Sequence, residues 1–92
     1  MTDKKSQGTT YMPKVDFTTF IASLNASAMV SLGTMNDPVT GQKMKNLALG
    51  KQTIDILSML EEKTMGNLNT QESDMLKNIL YDLKLIFVKE RG

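Results

Sequence analysis

The stretch "QTIDILSMLEEKTMGNLNTQESDMLKNILYDL", Gln52 to Leu83, decides how this chain folds. On either side of its "GNLN" segment, Gly66 to Asn69, apolar residues recur every three or four positions, the period of a helix with one buried face. Asn69, with Glu72 three residues on, has the form of a capping box, in which each side chain accepts from the other's free backbone N–H. Gly66 is the expected stop of the preceding helix, because glycine adopts the left-handed conformation found there. So short a link between two long helices makes them an antiparallel hairpin. The expected spans are 46–65, opened by an Asn46 cap, and 70–89, where Lys89 and Arg91 complement the negative end of the helix.

Upstream lies "FTTFIASLNASAMVSLGTMN", Phe17 to Asn36, which contains no charged residue. Asp16 places a carboxylate where the first helical N–H groups need an acceptor, and Gly33 supplies a stop, so a helix is expected over 17–32. The connector 34–45 contains Asn36-Asp37-Pro38, which starts a turn, and Gly41, which accepts a positive φ. It is long for a connector, long enough to fold back on the helices as an ordered loop. Residues 1–15 show no apolar period and read as a flexible arm. The expected architecture is all-α: three helices in a single domain over 16–90, with no strand-like alternation and no internal repeat.

Composition narrows the chemistry. A chain of 92 residues forms one domain at most and buries only about 60% of its unfolded surface, so completion by oligomerisation or a partner is expected. Eleven Lys+Arg against ten Asp+Glu remove the electrostatic argument for nucleic acid or an anionic membrane. With no cysteine there is no disulfide, thiol nucleophile or thiolate metal site. The absence of histidine removes the commonest zinc ligand and general base. Eight methionines suit adaptable packing surfaces as well as irregular cores. The uncharged stretch is expected to be neither a signal peptide nor a membrane span: Asp16 abuts it, Thr18, Thr19 and Ser23 interrupt it, and Asn25 would sit near mid-bilayer. A cytoplasmic location without membrane contact is expected.

At about 100° per residue the helices become surfaces. Phe17, Phe20, Ile21, Leu24, Ala28 and Leu32 share the expected core face of helix one. Opposite them stand Ala22, Ala26, Met29, Val30 and Gly33, small or apolar where a solvated face would carry lysine and glutamate. That face is expected to be buried at a subunit interface or under the loop; the plainer alternative is an uncharged exposed face. Helix three repeats the duplication. Its main stripe holds Met75, Leu76, Ile79, Leu80, Leu83, Ile86 and Phe87, and a second patch of Tyr81, Leu85 and Val88 lies on the far side at i, i+4 and i+7. Helix two has a wide apolar arc through Leu47, Leu49, Thr53, Ile54, Ile56, Leu57 and Leu60. Glu61 falls on that arc, where a carboxylate is costly unless hydrogen-bonded or bent to water. The first option has it accept from backbone N–H groups of the turn at 36–41 or of a neighbouring helix start.

Catalytic patterns are missing. Asp55, Glu61 and Glu62 cluster on helix two, but no second acidic group faces them. "GTMNDPVTG" lacks the spacing and the Gly-Lys-Ser/Thr ending of a phosphate loop. Helix three alternates charge signs where a DNA-reading helix would carry a basic stripe.

The quoted stretch, preceded by "F..F..SL..SA.VSLG" and "DPVTG", resembles the bacterial family of domain of unknown function 1844, with "LEEKTMGNL" its most distinctive part. The resemblance covers about Asp16 to Val88. It implies a small, mostly helical domain with no assigned activity, and it transfers no catalytic, cofactor or metal residue. Gly50 stands where the resemblance leads one to expect alanine, and Asn69-Thr70 where it leads one to expect Thr-Pro. The function expected from all this is that of a non-enzymatic interaction or accessory subunit, a homo-oligomer or the partner of another protein. The competing class is a small-molecule binder or enzyme with a pocket between loop 34–45 and helix two, near Glu61, Lys43 and Thr40.

Overall fold

The computed structural model describes residues 15–92; the arm expected over 1–15 lies outside them except for Val15. Three helices follow in order: α1 (Phe17–Leu32), α2 (Leu47–Lys63) and α3 (Thr70–Glu90). Among the described residues there is no strand. Each helix packs against the other two. Helices α2 and α3 run antiparallel as a hairpin, and Lys45 Nζ, at the start of α2, reaches Glu90 Oε1, at the end of α3, at 2.7 Å.

Local chemistry sets the ends. Asp16 Oδ1 accepts from Thr19 N–H at 2.8 Å and opens α1. Gly33, at φ 88°, closes it: Gly33 N–H donates to Val30 O at 3.1 Å and Thr34 N–H to Met29 O at 3.0 Å, the double bond of a Schellman motif. Asn46 performs two tasks. Its side chain accepts from Leu49 N–H at 3.1 Å, and its own N–H donates to Ser31 O at 2.7 Å, which ties the start of α2 to the last turn of α1. Helix α2 ends at Lys63, short of the expected 65. Thr64 donates both its N–H and its hydroxyl to Leu60 O, at 2.9 and 2.6 Å, closing the helix before Gly66, whose φ of 87° falls in the connecting turn.

The core consists of Ile21, Ala28 and Leu32 from α1, Ile54 and Leu57 from α2, and Leu76, Ile79, Leu80 and Leu83 from α3. Gly50 is buried where α1 crosses α2, and a Cβ there would stand 2.6 Å from Leu32 Cδ2. The expected face of α1 needs one correction. Phe20 is 47% exposed, because it stands one residue, about 100° of turn, from Ile21, on the border of the Ile21–Ala28–Leu32 line. Leu49 and Ile56 on α2 are displaced from Gly50 and Leu57 in the same way and are 47% and 37% exposed. A core built from three helices covers a narrower arc than the apolar arc of the sequence.

Loop 34–45 is ordered by its own bonds. Asp37 N–H donates to Gln42 O at 2.8 Å, Gly41 N–H returns to Asp37 O at 2.7 Å, and Asp37 Oδ1 accepts from Val39 N–H at 2.7 Å. Gly41 takes the positive φ, 71°, that this turn requires.

Candidate functional site

The far side of α3 is open. Tyr81, Leu85 and Val88 are 66%, 54% and 54% exposed, whereas Leu76, Ile79, Leu80 and Leu83 on the other side of the same helix are buried. Lys77, Lys84 and Arg91, all exposed, follow one edge of this strip at intervals of seven residues. Arg91 lies 5.7 Å from the centroid of the Phe87 ring, within reach of a cation–π contact. Beside it Glu90 accepts from Lys45; this hydrogen bond, with the Lys45 charge, holds the Glu90 carboxyl below its ordinary value of 4.5.

A second open strip runs along α2. Leu49, Ile56 and Met59 are 47%, 37% and 44% exposed, and Gln52 and Lys63, also exposed, complete a line at alternating three- and four-residue steps. Asp55 and Glu62 follow one edge of it, Asp55 in contact with Lys51 at 3.1 Å. Sequence reasoning assigned Leu49 and Ile56 to the core arc and missed this strip. The stepwise line is visible in the sequence, but nothing local marks it, as against the Gly50–Ile54–Leu57 line beside it, as the open one.

The small-residue face of α1 does not form one surface. Ala22 and Ala26 are exposed and the loop does not cover them. Met29, Val30 and Gly33 are half-buried by the loop: Thr34 Oγ1 donates to Met29 O at 3.1 Å, and the Lys45 side chain lies over Gly33. Val30 lines an open cleft of about 680 Å³ with Ser27, Asp37, Lys43 and Leu49. This is the concavity expected between the loop and α2, but Glu61 and Thr40 do not line it. Glu61 stands near the opposite end of α2, about 20 Å along the helix from Asn46. There it lines a smaller cavity of about 170 Å³ with Thr64, Leu68, Ser73 and Lys77. It is half-buried and forms no hydrogen bond with a described residue, so the proposed bond to the turn at 36–41 does not exist; the turn is at the wrong end of the helix.

The remaining polar candidates act locally. Asp16 caps α1. Asn69 and Glu72 form the reciprocal box of α3: Asn69 Oδ1 accepts from Glu72 N–H at 2.8 Å and Glu72 Oε1 from Asn69 N–H at 2.9 Å. Among the described residues no group of three His, Cys, Asp or Glu side chains could hold a metal ion, and no helix is long and apolar enough to cross a membrane.

No curated protein matches the chain, and no solved structure does. Residues 14–89 match the family described as domain of unknown function (DUF1844), and with most of its length matched the chain belongs to that family.

Proposed function

We propose that this protein works by protein–protein contact, as a non-enzymatic, self-associating or accessory subunit in the cytoplasm. The observation that carries this reading is the open strip of α3: three large apolar side chains, each more than half exposed, in helical register on the face opposite the core. Scattered exposed apolar residues are ordinary on any protein, but three aligned along one helix supply a contact surface. Large apolar side chains left in water favour association by roughly 25 cal/mol for each Å² that a partner covers.

Light scattering on the purified chain at tens of micromolar, with affinity capture from host extract, tests it. Wild type is expected to form an oligomer or retain specific proteins, and Leu85→Glu is expected to lose that association while keeping its helical circular-dichroism signal. If wild type is monomeric and both chains capture the same proteins, the reading is wrong. A second reading, binding of a small molecule, is favoured by the open cleft beside Lys43. A thermal-shift screen that finds a ligand whose effect is lost in Lys43→Ala would support it.

A further inference from the structure

The two open strips fit each other, and we infer that the α2 strip of one copy packs antiparallel on the α3 strip of a second copy. The inference rests on the contact reading above and names the partner. Each strip follows the three-four spacing of a coiled-coil seam: Leu49, Gln52, Ile56, Met59 and Lys63 on α2; Asp74, Asn78, Tyr81, Leu85 and Val88 on α3. In both helices the charged edge immediately precedes the seam in the direction of turn. Edges so placed meet each other only when the two helices run antiparallel.

The register that pairs all five positions of each seam also matches the edges. Setting Leu49 against Val88 of the second copy places Ile56 against its Tyr81 and Gln52 against its Leu85. The same register sets Lys63 opposite Asp74, an ion pair at the end of the seam. Along the flank, Asp55 faces Lys84 and Glu62 faces Lys77. Both acidic residues of the α2 edge therefore meet a lysine, with Arg91 left opposite Ala48, and the paired side chains are all exposed in the single chain.

Self-pairing of α3 is disfavoured by the same charges. Antiparallel α3 helices would bring the Lys77, Lys84 and Arg91 edge against its own copy, a like-charge contact at every step. Pairing α2 with α3 removes that repulsion. Phe20 adds apolar surface: it lies in line with Ser27 and Ser31, which border the same cleft as Leu49, so its side of α1 adjoins the α2 strip. The contact joins two different surfaces: two copies that pair both strips reciprocally close a two-fold dimer, and copies that pair one strip at a time add until a ring closes or a chain extends.

The test is complementation between two broken copies. Ile56→Glu destroys the α2 strip and Leu85→Glu the α3 strip, and both positions are exposed enough to keep the fold. Each variant alone is expected to sediment as a monomer, with self-association at least about 30-fold weaker than wild type. Mixed, they are expected to form a one-to-one dimer and nothing larger, since only one intact pair of strips remains. Met59→Glu replaces Ile56→Glu if circular dichroism shows the latter unfolded. In a second arm, Lys77→Glu with Lys84→Glu abolishes assembly, and adding Asp55→Lys and Glu62→Lys to the same chain restores it. A variant that assembles like wild type, a mixture that stays monomeric, or a monomeric wild type overturns the pairing of the α2 strip with the α3 strip. Only the last of these, joined to capture that Leu85→Glu leaves unchanged, also removes the contact reading.

Discussion

Leu83 and Leu85 stand two residues apart on α3, yet Leu83 is fully buried and Leu85 is 54% exposed. Two residues turn a helix by about 200°, so the same side chain meets the core at one position and water at the other. Apolar character alone therefore does not say what covers a residue. Leu83 lies in the core that the three helices share, whereas Leu85, Tyr81 and Val88 leave more than half of their surface uncovered. The largest expected effect breaks or upholds this contrast directly. Leu83→Ala should cost about 2–5 kcal/mol in urea unfolding, as large-to-small core substitutions do. Leu85→Ala, measured at a dilution where the chain is monomeric, should stay within about 0.5 kcal/mol of wild type. If both cost the same, residues outside the described ones cover the α3 strip and the contrast fails.

Gly50 and Leu32 sharpen the buried side of the comparison. Alanine at Gly50 gains about 1 kcal/mol of helix propensity. Its Cβ, however, would stand 2.6 Å from Leu32 Cδ2 and 3.1 Å from Cγ, and Leu32 is fully buried with little room to withdraw. Overpacking of this kind costs about 1–3 kcal/mol, so after the propensity gain Gly50→Ala is expected to destabilise by up to about 2 kcal/mol net. Leu32→Val removes reach at the point of the clash. The double variant should therefore lose less than the sum of the singles, and strict additivity would show that the helices do not meet there.

Asn25 tests where the buried side ends. Its side-chain oxygen is buried with no hydrogen-bond partner, although α1 positions it near the core border. An unsatisfied buried polar atom costs about 1–3 kcal/mol, and leucine has the same branching, in a somewhat larger side chain, without that atom. Asn25→Leu is expected to stabilise the chain by about 1 kcal/mol, read as a higher melting temperature. A lower one would reveal a hydrogen-bond partner beyond the described residues.

How much of this the sequence discloses follows from which forces are local. The caps at Asp16, Asn46 and Asn69–Glu72 lie within three residues of the groups they serve, and each is visible as a residue pattern. The second patch of α3 is visible too, because it has the helical period in the opposite phase. Phe20, Leu49 and Ile56 are misread as core because their exposure depends on how closely three helices approach one another, which no local spacing encodes. Glu61 is misplaced for a related reason. Its position on the apolar arc is legible, but which end of α2 the loop reaches is fixed by Asn46 N–H bonding to Ser31 O, a contact across the fold. Ala22 and Ala26 show the reverse: a pattern suggestive of close packing that the single chain leaves open.

The smallest expected effect lies where the two regions meet, at the Lys45–Glu90 pair that fastens the start of α2 to the end of α3. The hydrogen bond from Lys45, and then its charge, favour the ionised Glu90 and lower its value from 4.5. A carboxyl lowered on folding stabilises the fold above its unfolded value, and that contribution is lost as pH falls through the lower folded value. Glu90→Gln should therefore be slightly less stable than wild type near neutral pH, with the gap closing as the pH drops below about 4.5. Both partners are partly exposed, so salt should shrink the gap as well. A gap that persists unchanged at about pH 3 would mean that Glu90 acts through packing and not through its charge.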